Sequence, residues 1–249
     1  MIQLTIIKIT GYGPWTLTLG SDREHHLQIL QSSLYKEIQK HFSEKNCLVF
    51  SNRFDELFAI SNGLSLKDHV EIQEKLSKSF SLGLSMTIGY GKTPFEANLK
   101  ASEARKSNTI LDKDHNILGF MDGKAVQDVQ ILHMDVDGTT SISSAKSPYE
   151  ISSLMFRIFS EMSEFFLGKN SLTFFMGGDN FMIISSEDGK ANAIKFLELM
   201  EKKYSIIMNC GIGRAKTARE AANHATKSLD AIRKLRDSGE RQRVLELPC

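Results

Sequence analysis

Apolar and polar residues alternate from Leu4 to Ile9, a period of two that predicts a β-strand, and Gly11-Tyr12-Gly13-Pro14 ends it with turn-forming residues. Leu27, Leu30, Leu34 and Ile38 then recur at spacings of three and four, the mark of a long amphipathic helix. Residues 47–50 and 57–60 read as two strands around a tight turn at Asn52-Arg53-Phe54-Asp55. Residues 65–80 read as a helix and 82–89 as a strand. The order βαββαβ is that of a ferredoxin-like unit.

The second half repeats that order: a strand at 131–135, a helix at 148–167, a hairpin at 172–185, a helix at 190–203 and a strand at 206–213. Asp55 and Asp179 stand at equivalent hairpin tips. Lys92-Thr93-x-x-Glu96-Ala97 recurs as Lys216-Thr217-x-x-Glu220-Ala221 at the same offset, so two independent anchors support an internal duplication. Thr followed three residues later by Glu is a capping box, and Ser147-Pro148-Tyr149-Glu150 has the same form; such boxes mark helix starts and carry no chemistry. The division predicted is residues 1–110 as domain 1, 111–127 as a linker or short insertion, and 128–249 as domain 2. The fold class is α+β: tandem ferredoxin-like domains with palm-like antiparallel sheets and helices on one face.

Composition narrows the function. Hydrophobic residues at 41% supply two cores, and a formal net charge of +1 removes the long-range field expected of a nucleic-acid or acidic-membrane binder. Cys47, Cys210 and Cys249 form no CxxC, and no Cys/His run has zinc-site spacing. Neither a leader pattern nor an apolar run of about 18 residues occurs. The expectation is a soluble cytoplasmic protein that meets any phosphate locally.

The candidate chemistry lies in the second half. His133, Asp135 and Asp137 alternate with Leu132, Met134 and Val136, so they share the sheet face that helices on one side would leave open. Met176-Gly177-Gly178-Asp179-Asn180-Phe181 forms the next hairpin, which this fold places beside the Asp135 strand. Two carboxylates so close repel unless a cation intervenes, and Mg²⁺ prefers one or two carboxylates plus substrate phosphates. Gly177 and Gly178 permit positive φ and let a phosphate reach backbone amides. Each motif alone also reads as a turn; their pairing on adjacent strands points to a site. Arg214 and Lys216, between a strand end and a helix start, and Arg233 and Lys234, near a helix end, are candidate phosphate ligands or solvated surface.

In the first half Asn52, Arg53, Asp55 and Asn62 gather about the hairpin, but Thr10 and Gly11 stand where a metal-binding aspartate would, so a full metal pair is absent there. Asn and Asp in this half can read guanine edges instead. Tyr12 and Trp15 suit base stacking or core packing. Ile6 on one face of the first strand and Ile7 and Ile9 on the other predict a covered second face, hence a homo-oligomer, a dimer or tetramer.

Tyr12-Gly13-Pro14-Trp15, Asn52-Arg53-Phe54-Asp55 with Asn62-Gly63, and Gly177-Gly178-Asp179-Asn180-Phe181 together resemble archaeal GTP cyclohydrolase III over nearly the whole chain. The second half is also similar to GGDEF-type cyclases at Gly-Gly-Asp-Asn-Phe and from Ala225 to Lys234 before Gly239, with Asn180 in place of the usual second acid and Thr226 in place of the usual helix aspartate. The resemblance implies a hydrolase acting on the cyclic amidine C–N bond of GTP. Its product is 2-amino-5-formylamino-6-(5-phosphoribosylamino)pyrimidin-4(3H)-one, a precursor of flavins and deazaflavins, with release of two phosphates. It also implies Mg²⁺, as two ions, and K⁺ or another monovalent cation as activator. On this reading Asp135, the Val136 carbonyl, Asp137 and Asp179 hold Mg²⁺ and His133 carries a proton; a dinucleotide-forming cyclase or a non-catalytic GTP sensor is the alternative.

Overall fold

A computed structural model describes residues 1–120, 127–138, 144 and 146–248. They form two compact units. The first comprises β1 (Ile2–Ile9), α1 (Tyr12–Leu17), α2 (Glu24–Ser43), β2 (Leu48–Arg53), β3 (Glu56–Ile60), α3 (Leu66–Ser79), β4 (Leu84–Gly91), α4 (Pro94–Lys106), β5 (Ile110–Asp112) and β6 (Ile117–Gly119). The second comprises β7 (Val129–Val136), α5 (Pro148–Leu167), β8 (Leu172–Gly177), β9 (Asn180–Ser185), α6 (Gly189–Tyr204), β10 (Met208–Ala215), α7 (Ala218–Asp237) and β11 (Val244–Glu246).

The sheet of the first unit runs β2-β3-β1-β4-β6-β5 and that of the second β11-β10-β7-β9-β8. In each, the four strands of the βαββαβ repeat pair antiparallel, and a short strand joins the fourth in parallel, β6 on β4 and β11 on β10. The expected linker therefore contributes strands to the first sheet, β5 and β6, and its residues 121–126 lie outside the described residues.

Period-two alternation sends Leu132, Met134 and Val136 of β7 into a core with Met155, Ile158 and Met162 of α5 and Phe196 and Met200 of α6. Ile7 and Ile9 of β1 enter the corresponding core of the first unit with Ile38, Phe42, Ile72 and Leu76. Ser65 and Ser147 close capping boxes with Asp68 and Glu150.

The opposite sheet face is not left open. A Cβ on Gly211 would lie 2.1 Å from the Ala225 carbonyl oxygen, and one on Gly213 2.2 Å from that of Ala221. These two glycines let the alanine face of α7 lie directly on β10. Gly89 and Gly91 of β4 admit α4 in the same way, with Ala97 backbone atoms at 2.2 and 2.3 Å. The last helix of each unit, α4 or α7, thus adds a layer to the helices expected on one side. In the first unit both faces of β1 are buried, Ile6 at 2% exposure included, which removes the argument that a second copy must cover it. Among the described residues no helix is long and apolar enough to cross a membrane.

Candidate active site

β7 is the central strand of its sheet, with β10 on one side and β9 on the other, and its register sets Asp135 opposite Asn209 and Asn180. Asp137 follows the end of β7, its amide bonded to the Ile207 carbonyl at 2.9 Å. The β8–β9 register shifts between Phe175 and Gly177, and Gly177 and Gly178 take φ of +96° and +61°. This bulge brings Asp179 to the end of the sheet that carries Asp135. Asp135, Val136, Asp137, Gly138 and Asp179 line one cleft of about 470 Å³ together with Arg233 and Arg236 of α7.

The electrostatics follow from α7. Arg233 Nη2 donates to Asp135 Oδ2 at 2.7 Å, and its Nη1 donates to Asp230 at 3.0 Å. Arg236 donates to Asp137, whose carboxylate also accepts from the Gly138 amide at 3.0 Å. Asp135 is 5% exposed and its Oδ1 is buried without a hydrogen-bond partner. An ionised oxygen in that state is costly, and a hard cation is the partner that would complete it. Asn180 Nδ2 donates to Asp179 Oδ1 at 2.9 Å.

His133 shares the sheet face of Asp135 but not the cleft. Nδ1 lies 3.0 Å from Thr226 Oγ1 and Nε2 3.1 Å from Asn180 Oδ1. Burial pushes its pKa below the ordinary histidine range, against the pull of the Asn180 bond and the Asp135 charge. Both nitrogens are engaged by protein neighbours, so this geometry lends the expected proton-carrier role no support.

The remaining expectations divide. Arg233 reaches the site, whereas Lys234, one position along α7, is exposed. Arg236, three residues on from Arg233, shares its helix face, a spacing that could have been read from the sequence. Arg214 and Lys216 are not in the site. Arg214 sits opposite Gln130, about 16 Å along β7 from Asp135 at about 3.3 Å per residue, and pairs with Glu246 at 3.1 Å. Lys216 pairs with Asp128 at 2.7 Å. Thr226 and Asp230 are contacts that the strand motifs did not announce.

In the first unit Asn52 donates to Glu56 at 3.0 Å, and Arg53 stands 3.6 Å from both Asp55 and Glu56. Asn62 is not with them: it is buried at the other end of β3, bonded to the Gln3 amide and the Gln127 carbonyl. Tyr12 and Trp15 lie on α1 with ring centroids 6.0 Å apart, and Tyr12 packs against the core. The strand register also refines the comparison of halves. Lys8 pairs with Glu56 as Asp135 pairs with Asn180, so Lys8 is the counterpart of Asp135 and Thr10 that of Asp137.

A second cavity, about 420 Å³, adjoins the first at Asp179 and is lined by Ile151, Ser152, Met155, Phe156, Phe175 and Gly178. It is apolar and aromatic where the cleft is charged. Among the described residues no three His, Cys, Asp or Glu side chains gather as a metal cluster, so a cation here would take its other ligands from backbone, water or substrate.

A family model described as GTP cyclohydrolase III matches residues 1–244. The chain is 34% identical over 236 residues to GTP cyclohydrolase III of Methanothermobacter thermautotrophicus, covering 94% of this chain and 95% of that protein. It is 36% identical over 237 residues to GTP cyclohydrolase III of Methanocaldococcus jannaschii, covering 94% and 88%. Similar solved structures include the GGDEF domain of DgcB from Caulobacter crescentus, with TM-score 0.40, 13% identity and coverage of 63% and 94%. A bacterial light-regulated adenylyl cyclase has TM-score 0.40, 11% identity and coverage of 94% and 83%.

Proposed function

The chain belongs to the GTP cyclohydrolase III family and is a hydrolase acting on GTP, and on that premise we propose that its second unit holds the nucleotide, with the triphosphate in the Asp135–Asp179 cleft and guanine in the adjoining aromatic cavity. The observation that carries this reading is the buried, unpartnered Oδ1 of Asp135 at the wall of a cleft whose other side is Asp179.

Asp135, the Val136 carbonyl, Asp137 and Asp179 are the oxygen donors that would hold Mg²⁺, and two ions fit this donor set once phosphate oxygens join it. When bound, the metal supplies neutralisation of triphosphate charge and a more acidic water. The protein's own groups do the rest. Arg233 and Arg236 present guanidinium groups to incoming phosphate oxygens, and bidentate geometry suits that task. Gly177 and Gly178 leave the hairpin backbone uncovered, with nothing within 4 Å of a Cβ on Gly177. Phe156 and Phe175, 5.9 Å apart, offer faces to a purine and keep water from it.

The finer reaction is the hydrolytic opening of the guanine imidazole ring with the formyl group retained and two phosphates released, with K⁺ or another monovalent cation as activator. The free, buried thiols of Cys47 and Cys210 support a reducing cytoplasmic setting. Support for a dimer or tetramer moves from β1 to α5, whose Tyr149 is 83% exposed.

The test is Asp179→Ala with GTP, Mg²⁺ and K⁺, followed by mass and phosphate release. We expect a ring-opened monophosphate from the parent protein and at least about 100-fold slower turnover in the variant, with unchanged thermal stability. Parent-like turnover by the variant, or pyrophosphate as the product, would overturn the assignment.

A further inference from the structure

We propose that His133 and Thr226 are positioning residues that fix the direction of the Asp179 carboxylate through Asn180. The inference rests on the site described above and gives a purpose to two side chains outside the proposed metal and phosphate ligands.

Three hydrogen bonds join α7, β7 and the β9 hairpin in one line: Thr226 Oγ1 to His133 Nδ1, His133 Nε2 to Asn180 Oδ1, and Asn180 Nδ2 to Asp179 Oδ1. The polarity of the line follows from its charged end. An ionised carboxylate only accepts, so Asn180 must turn its NH₂ toward Asp179. Its carbonyl oxygen then faces His133, and Nε2 must carry the hydrogen. A neutral imidazole with a hydrogen on Nε2 has a bare Nδ1, so the Thr226 hydroxyl donates. One anion thereby assigns every donor in the chain, and reversing any link would set two acceptors or two donors face to face.

The hairpin tip needs such a tether. Gly177 and Gly178 carry positive φ; a Cβ on Gly177 would meet nothing within 4 Å, and one on Gly178 only Asn180 Nδ2 at 3.9 Å. Local packing therefore does little to hold the turn. His133, in contrast, sits on the central strand under α7, pinned from both sides. Losing a ligand-orienting partner of this kind typically costs about 10–100-fold in metal affinity or activity.

The experiment uses the full chain. Long-range ¹H–¹⁵N spectra of the His133 ring should show a hydrogen on Nε2 alone in the parent protein. In Asp179→Asn, whose neutral amide no longer dictates the Asn180 orientation, a hydrogen on Nδ1 should appear as a second tautomer. In GTP turnover, Thr226→Val, which keeps the shape and removes the donor, should raise the apparent Mg²⁺ activation constant about tenfold, and Thr226→Ser should restore it. A ring signal that ignores Asp179→Asn, an Nδ1–H tautomer in the parent, or an unchanged Mg²⁺ constant in Thr226→Val overturns the proposal. Failure of the site itself is distinguishable: Asp179→Ala would then keep its turnover while the spectra still report the tautomer coupling.

Discussion

Arg233 and Asp135 define the electrostatic state of the cleft, and removing the guanidinium tests it. The pair is 2.7 Å long, with the Asp135 side chain 8% exposed and that of Arg233 42% exposed. Breaking a fully buried pair costs about 3–5 kcal/mol because a charge is left uncompensated. Arg233 is too exposed for the whole amount, since water already screens its side of the contact, and about 1–2 kcal/mol is the expected loss. At about 4 °C per kcal/mol for a unit of this size, Arg233→Met in EDTA should unfold roughly 4–8 °C below the parent protein. Methionine keeps the packing of the arginine stem, so lost burial contributes little. In an Asp135→Asn background the same substitution should cost almost nothing, because no charge remains to be stranded. Adding Mg²⁺ should raise the midpoint of Arg233→Met more than that of the parent, because the cation no longer shares the carboxylate with a guanidinium. The reasoning is refuted if the arginine costs the same with and without the Asp135 charge, read from thermal midpoints of all four proteins.

Gly211→Ala places a Cβ 2.1 Å from the Ala225 carbonyl oxygen, so it should cost at least about 1–3 kcal/mol in urea unfolding and slow GTP turnover by pushing α7 and Arg233 outward; a parent-like midpoint would rule out the close contact. His69 is fully buried between Thr5 and the Ser65 carbonyl, and burial holds its pKa below the ordinary histidine value. The unfolded chain therefore takes up a proton near pH 6.5 that the folded chain refuses, so this contribution is complete above about pH 6.5 and lost as pH falls below it. His69→Gln should flatten the drop in urea midpoint between about pH 7.5 and pH 5.5, and an unaltered drop would contradict the assignment. Burial also pushes the Cys47 thiol up to about 12 and raises Cys210, so a thiol reagent should modify both only at the rate of unfolding, followed by mass of the labelled peptides.

What the sequence made legible was periodic. Leu132, Met134 and Val136 alternate with His133, Asp135 and Asp137, and that alone placed the charged face of β7 and its neighbour hairpin. What escaped was written in small residues. Gly211 and Gly213 against Ala221 and Ala225 dock a helix by backbone approach, and alanine in a charged helix gives no broad apolar stripe. Without α7 on that face, the partners of Asp135 could not be named. Lys216 stays open between phosphate ligand and solvated surface in the sequence for a related reason: proximity to a helix start says nothing about which end of the sheet that helix begins at. The two departures from the GGDEF pattern, Asn180 and Thr226, turn out to be the two hydrogen-bond partners of His133, so the differences from a familiar motif carried more structural information than the match did.

The duplicated halves show why one frame can offer a cation site once and not twice. Each unit has one buried carboxylate near its hairpin and one arginine from its last helix: Glu56 with Arg105 at 2.9 Å, and Asp135 with Arg233 at 2.7 Å. In the first unit the carboxylate has moved across the ladder, from the place of Asp135, now Lys8, to the place of Asn180. There Asn52, Arg53 and Arg105 surround it, and although burial raises its pKa, these partners outweigh burial and hold Glu56 below the usual carboxylate range. Its charge is spent on protein donors. Asp135 meets a single guanidinium and keeps one buried oxygen unpartnered beside a second carboxylate, Asp179. A cation added to the first unit would meet Lys8 and a satisfied acid; added to the second, it would complete a coordination that the protein leaves unfinished.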